Sequence, residues 1–118
     1  MTKRPHILLV NVFFAPYTYG GATVVAEQVA RELVNEDIAR VSVISLISRP
    51  ELQPYSVLRS QVMGIDNYLI NVPQNRTYKY FYDNPEIGGV VSDLIADLSP
   101  DLMHVHCIQE IGVDILRV

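Results

Sequence analysis

The chain has 118 residues, of which 49% are hydrophobic, and a net charge of −4. This length and hydrophobic fraction fit one folded domain with a buried core and argue against an intrinsically disordered chain. The negative charge argues against a nucleic-acid-binding protein, which normally carries a basic surface. The single cysteine, Cys107, excludes a disulfide within the chain and favours a reducing compartment.

The first half of the sequence alternates between strand and helix patterns. Residues 6–12 form a nearly continuous apolar run, which is typical of a strand buried on both faces of a parallel sheet. No small-residue cleavage site follows this run, so we interpret it as a strand and not as a signal peptide. Residues 21–36 have helical periodicity, and residues 39–47 predict a second strand that ends before Pro50. Residues 51–63 have no clear period, and we interpret them as a loop with a short helix or irregular structure.

The second half continues the alternation. The sequence predicts a third strand at residues 65–72, a loop to residue 84, a helix at 86–98, a fourth strand at 102–106 and a further helix at 110–118. This order predicts an α/β fold: a doubly wound, Rossmann-like parallel sheet of about four strands. With the strand order 3-2-1-4, the fourth strand would be an exposed edge through which the chain could self-associate.

Two glycines, Gly20 and Gly21, stand between the first strand and the first helix. The N-terminus of a helix exposes backbone N–H groups that can bind a phosphate or sugar oxygen, and glycine lets a ligand approach the backbone closely. A tight turn explains the pair equally well. The dinucleotide-binding pattern G-x-G-x-x-G is absent from the sequence.

A second candidate site is the sequence His104-Val105-His106 at the end of the fourth strand. The alternation of side chains along a strand places both imidazoles on one face of the strand. We interpret His106, at the strand end, as a residue that faces a ligand, and His104, deeper in the strand, as structural. Zinc would need a third ligand that the surrounding pattern does not supply, so we expect no metal. Cys107 lacks a patterned base, so we interpret it as a small buried hydrophobe.

Aromatic and basic residues cluster in the loop before the second helix, in the sequence "RTYKYFY". Aromatic faces stack on sugars, and basic groups bind phosphates. Packing of the tyrosines on the domain surface is the simpler alternative. The candidates for acceptor binding in this loop and in the first one are Arg76, Tyr78, Tyr80, Tyr17 and Tyr19.

In this order, the motifs resemble the N-terminal domain of a known enzyme group. The segments are "ILLVNVFFAPYTYGG", "VSVISL", "GIDNYLINVP" and "SPDLMHVHC". Together they are similar to the retaining glycosyltransferases of the GT-B fold, in particular family four, also called glycosyl transferases group one. The chain departs from the family in having "NEDIAR" instead of a Gly-His turn and Thr23 where an acidic residue is common.

The resemblance implies transfer of a sugar from a nucleotide-sugar to an acceptor hydroxyl, with retention at the anomeric carbon and without a bound metal. It implies that Gly20 and Gly21 lie near the donor diphosphate and the acceptor. It also implies that His106 is the histidine near the donor sugar and that His104 is mostly structural. The acceptor would be a glycan or a lipid-linked molecule. We expect a cytoplasmic protein, which a lipid-linked acceptor would bring to the inner membrane face.

The family's donor-binding domain, with its E-x7-E glutamate pair, has no counterpart in residues 1–118. We therefore expect the chain to be the N-terminal part of a longer enzyme and to be inactive alone. Two alternatives stay open: another GT-B nucleotide-sugar enzyme of the epimerase type, and a non-catalytic module that binds a sugar or a partner. A phospho-receiver domain is excluded, because the acidic residues that such a domain needs after its first and third strands are missing.

Overall fold

A computed structural model of the protein describes residues 4–11, 14, 21–73 and 85–107. These residues form one five-stranded mixed sheet and two helices. The strands are β1 (His6–Asn11), β2 (Arg40–Ile47), β3 (Val57–Val62), β4 (Ile65–Asn71) and β5 (Leu102–Cys107), and the helices are α1 (Gly21–Asn35) and α2 (Pro85–Leu98). The predicted α/β class is confirmed, as are both predicted helices and all four predicted strands within this part of the chain. The predicted helix at residues 110–118 lies outside it.

The strand order across the sheet is β3-β4-β2-β1-β5. β1 pairs in parallel with both β2 and β5, and β2 pairs in parallel with β4. These four strands have the order predicted from the sequence, since β4 and β5 are its third and fourth strands. α1 connects β1 to β2, and α2 lies between β4 and β5 on the opposite face. The direction of winding therefore reverses between β1 and β5.

The outermost strand, β3, corrects two predictions. Residues 57–62 were expected to be irregular, and the sheet was expected to be parallel, but β3 pairs antiparallel with β4. The two strands are joined by Met63 and Gly64, which both have positive φ angles (56° and 74°), as a tight hairpin turn requires. β3 is an edge strand whose residues are exposed or only half-buried. It therefore lacks the apolar alternation by which a half-buried strand is recognised.

Alternate residues of the central strands fill two apolar clusters on opposite faces of the sheet. The buried members on the α2 face are Leu8, Val10, Ile44, Leu46, Ile70, Val72, Ile87 and Val91. The buried members on the α1 face are Leu9, Phe14, Ala26, Ala30, Val41, Val43 and Ile65. Both faces of β1 and β2 are covered, and β1 is accordingly a nearly continuous apolar run in the sequence, as predicted for residues 6–12.

Helix α1 ends in a turn within the segment "NEDIAR". The N–H of Ile38 donates to the Leu33 carbonyl (2.9 Å), and the N–H of Asp37 donates to the Val34 carbonyl (3.1 Å). This pair of bonds is the Schellman cap, which needs a left-handed residue and usually has glycine there. Asp37 takes this position with φ of 58°. The segment "NEDIAR" thus forms the turn between α1 and β2, and Arg40 pairs with His6 in the sheet.

Neither of the helices in the described part of the chain is long and apolar enough to cross a membrane.

Candidate functional site

The carboxyl edge of the sheet between β1 and β5 brings two of the predicted motifs to one place. Asn11, the last residue of β1, pairs with Cys107, the last residue of β5. Gly21 is the first residue of α1, which follows β1 and contacts β5. The beginning of α1 and the end of the His-Val-His strand therefore lie at the same end of the sheet. This is the position at which doubly wound folds bind ligands.

For the predicted site residues, the structure describes the backbone of Gly21 and of His106. The roles assigned to these two residues stay predictions. The predicted site residues that lie outside the described part of the chain are Gly20, Tyr17, Tyr19, Arg76, Tyr78 and Tyr80.

The register of β5 is irregular at His106. Val10 pairs with Val105, but the next residue, Asn11, pairs with Cys107, so the register skips His106. Such a bulge interrupts the alternation of side chains and is often found next to active sites, where it redirects a side chain. That His104 and His106 share one face presupposes regular alternation along β5, and it stays a prediction.

His104 lies in an exposed position, and its predicted structural role stays a prediction. It pairs with Leu9 of β1, which is fully buried. The exposure of His104 fits the place of β5 as the edge strand on this side of the described sheet. A residue in the middle of an edge strand is buried only where a helix also covers its face.

The end of β1 is held by two buried residues, Asn11 and Phe14. Phe14 packs in the same cluster as Leu9, Ala26 and Ala30, and it therefore anchors the chain that leaves β1 against α1. Asparagine is depleted from strands, so a buried Asn at a strand end is the kind of signal that marks a site. In the sequence, Asn11 is recognisable only as an interruption of an apolar run.

A second ordered region of this edge is the loop formed by residues 48–56, which we call the 48–56 loop. The side chain of Asn71, at the end of β4, lies inside it. Its Oδ1 accepts from the Arg49 N–H (2.7 Å). The two hydrogens of its Nδ2 are shared among three acceptors, the carbonyls of Arg49 (3.1 Å), Leu52 (3.2 Å) and Gln53 (3.1 Å). One buried amide thus contacts several backbone groups of the loop, and two of these carbonyls, those of Arg49 and Gln53, also accept from the N–H groups of Leu52 (3.2 Å) and Ser56 (3.2 Å).

The contacts between Asn71 and the 48–56 loop were not predicted from the sequence. The available signal was an asparagine directly after the apolar residues Leu69 and Ile70, opposite a loop with prolines at positions 50 and 54. The partners of Asn71 are about twenty positions away in the sequence, so no local pattern links them.

The third histidine, His6, lies at the opposite, amino edge of the sheet. It is buried, and a 2.8 Å hydrogen bond joins its Nε2 to Oγ of Ser42 on β2. Its backbone is held by Asp101, whose carboxylate accepts from the His6 N–H (2.7 Å) and whose own N–H donates to the His6 carbonyl (2.8 Å). His6 therefore ties the beginning of β1 to β2 and to the turn before β5.

We expect the protonation of His6 to destabilise the fold. Burial and the nearby Arg40 lower the pKa of His6 from its usual 6.5, and the Leu98 carbonyl and the carboxylates of Asp101 and Asp66 only partly oppose this. The unfolded chain then binds a proton more readily than the folded one. The contribution of neutral His6 to the free energy of unfolding is therefore complete above the pKa that His6 has in the unfolded chain. This contribution falls as the pH drops below that value.

Urea unfolding at several values between about pH 8 and about pH 5 measures this effect. His6→Gln should flatten the pH dependence over this range, because it removes the group that is protonated on unfolding. The exposed histidine variant His104→Gln is the matched control and should keep the slope of the original chain. If the free energy of unfolding depended on pH equally in the original chain and in His6→Gln, His6 would not be the group whose protonation destabilises the fold.

Within the described ranges, no group of three or more His, Cys, Asp or Glu side chains is arranged to hold a metal ion. Comparison of the chain with protein-family models, with curated proteins and with solved structures finds no match. A functional assignment therefore depends on the motifs and on where the fold puts them.

Proposed function

We propose that the chain is the acceptor-side half of a retaining glycosyltransferase with GT-B architecture. The observation that carries the proposal is the reversal of winding between β1 and β5, at the edge where α1 begins at Gly21 and where the His-Val-His strand ends. Two motifs that are weak in isolation thus belong to neighbouring elements at the usual ligand-binding edge.

In this proposal the Gly20-Gly21 segment and His106 act on the donor. The first backbone N–H groups of α1, which has no acidic residue in its first turn, would bind the diphosphate of a nucleotide-sugar. Negative charge grows on that diphosphate as its bond to the anomeric carbon breaks, and fixed N–H donors stabilise it. The acceptor oxygen forms the new bond to the same carbon, and its proton passes to the departing diphosphate. His106 would position the donor sugar or phosphate by a hydrogen bond.

The test begins with the reading frame that encodes the chain. We expect it to continue past Val118 into a second α/β region with an E-x7-E pair. The encoded protein, incubated with a panel of nucleotide-sugars and candidate acceptors, should release nucleoside diphosphate and form a retained glycoside. His106→Ala should lower kcat about tenfold to a thousandfold.

The control is His104→Ala, which removes an exposed histidine from the same strand and should leave kcat near that of the unmodified protein. If the His106→Ala and His104→Ala variants had equal kcat values, His106 would have no specific role in sugar transfer. Robust sugar transfer by residues 1–118 alone would contradict the proposal that the chain is half an enzyme.

The partners and location follow from the same proposal. The donor is a nucleotide-sugar, the acceptor is a glycan or lipid-linked molecule, and the reaction takes place in the cytoplasm or at the inner membrane face.

β5 forms one edge of the described sheet, with Leu102 exposed on it, and we propose that this edge mediates self-association. Sedimentation of the 118-residue chain at increasing concentration tests this, and a concentration-independent monomer would contradict it.

A further inference from the structure

The edge strand β3 presents an open row of backbone hydrogen-bonding groups. β3 lies at one end of the sheet, and among the described strands only β4 pairs with it. An antiparallel strand alternates between residues whose N–H and C=O groups face the partner strand and residues whose groups face away from it. Every second residue of β3 therefore directs its backbone groups out of the sheet. An edge of this kind is a template on which a further strand can pair.

One hydrogen bond beside β3 determines which of its residues face outward. The N–H of Asn71 donates to the Ser56 carbonyl (2.9 Å), and the same register continues along all of β3. Ser56 therefore has the phase of a residue whose backbone groups face β4, and this phase recurs at every second residue. The residues of β3 whose backbone groups face β4 are Leu58, Ser60 and Val62. The residues whose backbone groups face the open edge are Val57, Arg59 and Gln61.

The sequence of β3 lacks the features with which natural sheets protect an edge. Proline, lysine and bulges commonly prevent an edge strand from pairing. β3 has the sequence "VLRSQV", without proline or lysine, and its register with β4 contains no bulge. Its one charged side chain, Arg59, is held over its own sheet. Nη2 of Arg59 donates to Oδ2 of Asp66 (2.9 Å), and the guanidinium carbon lies 5.7 Å from the centre of the Tyr68 ring.

The order of residues along β3 makes the strand complementary to itself. Two copies related by a two-fold axis would run antiparallel at this edge. The hydrogen-bonded pairs between them must join residues whose backbone groups face outward. The two registers with the longest overlap are then centred on Arg59 and on Ser60. The first places two arginines directly opposite each other, which like charges disfavour.

The register centred on Ser60 avoids this repulsion. It places Arg59 opposite Gln61 of the second copy, and the backbone groups of both face outward and can exchange two hydrogen bonds. On the other face of the strand it places Leu58 opposite Val62 of the second copy. Leu58 is 38% exposed in the single chain, and apolar pairs across strands stabilise a sheet. The two-fold axis makes each of these pairs occur twice.

We infer that β3 pairs with β3 of a second copy of this chain, antiparallel and centred on Ser60. The pairing joins two five-stranded sheets into one continuous sheet. β3 and β5 lie at opposite ends of the sheet, so the pairing does not involve the candidate site between β1 and β5. The inference depends on β3 and β4 alone and is independent of the proposed function.

Disulfide cross-linking tests where the two copies meet. In a Cys107→Ser background, Ser60→Cys introduces the one thiol of the chain. In the inferred register, position 60 lies opposite itself in a non-hydrogen-bonded pair, with Cα atoms about 4.5 Å apart, which is within the span of a disulfide. With oxidised glutathione as the electron acceptor, Ser60→Cys should form a covalent dimer at least about tenfold faster than Val25→Cys, because pairing raises the effective concentration of the two thiols. Val25, exposed on α1, is the matched control position.

Sedimentation of a proline variant tests the hydrogen bonds between the copies. Gln61→Pro removes an N–H that faces the open edge, so the sheet of the single chain loses no hydrogen bond. Two bonds between the copies are lost, and the dissociation constant of the dimer should rise at least about tenfold. Gln61→Ala keeps the N–H and should leave the dissociation constant near that of the original chain. Circular dichroism and urea unfolding establish that both variants are folded.

Three results would overturn the inference. The first is a chain that sediments as a monomer at every concentration. The second is cross-linking of Ser60→Cys that is no faster than that of Val25→Cys. The third is a folded Gln61→Pro variant that associates as tightly as Gln61→Ala. A dimer that forms while the last two results are also found would have its interface at another surface, such as the edge at β5.

Discussion

Replacing Asn71 with aspartate is expected to lower the free energy of unfolding by about 3 kcal/mol. The change preserves the shape of the side chain but replaces the Nδ2 donor with an oxygen. That oxygen would face the carbonyls of Arg49, Leu52 and Gln53, which now accept hydrogen bonds from Nδ2. Asn71 is only 2% exposed, so water cannot compensate for the lost bonds or solvate a new charge.

Urea unfolding at neutral and at acidic pH measures this loss and its cause. The carboxyl introduced at position 71 should have a raised pKa, because burial and the facing carbonyls disfavour its charge. The loss relative to the original chain should therefore shrink as the pH falls and the carboxyl becomes protonated. Asn35→Asp, at the exposed end of α1, is the matched control and should cost less than about 1 kcal/mol. An unfolding midpoint for Asn71→Asp close to that of the original chain would show that the amide does not organise the 48–56 loop.

Leu8→Ala and Leu9→Ala are each expected to lower the free energy of unfolding by about 2–5 kcal/mol. The two residues are neighbours on β1, and each is fully buried, Leu8 on the α2 face and Leu9 on the α1 face. Each substitution leaves a cavity in a different apolar cluster. In a sheet covered on one side only, one of the two changes would be nearly neutral.

The matched control is Leu58→Ala on the edge strand β3, where the leucine is 38% exposed. It should cost roughly 1 kcal/mol or less, because little apolar surface returns to water. Chemical unfolding of the three variants, with equal slopes against urea concentration, gives the comparison. If Leu9→Ala were as mild as Leu58→Ala, α1 would not cover this face of the sheet.

The sequence by itself determined the central part of the fold. A nearly continuous apolar run at residues 6–12 predicted a strand covered on both faces, and residues 39–47 predicted a second strand. Both occur, as β1 and β2. Helical spacing predicted α1 and α2 to within about one residue at each end. These features can be predicted locally, because a short window of residues shows both the apolar pattern of buried positions and the period of the secondary structure. The order of the parallel strands followed from the alternation of strands and helices.

For the candidate site, the sequence determined which motifs lie at the carboxyl edge of the sheet. It did not determine the register of the residues within those motifs. It placed the beginning of α1 next to the end of β5, since both follow from strand order. It did not predict the bulge at His106, which depends on how β5 aligns with β1. Register between two strands is a property of the pair and is absent from the pattern of either strand alone.

The tertiary structure alone decided the features that join distant segments. The residues of β3 are exposed or half-buried and lack apolar alternation, and β3 is a strand because β4 lies alongside and supplies hydrogen-bond partners. The 48–56 loop is ordered because Asn71, about twenty residues away in the sequence, points into it. In each case the stabilising group lies far away along the chain, and only the folded sheet brings it within the roughly 3 Å of a hydrogen bond.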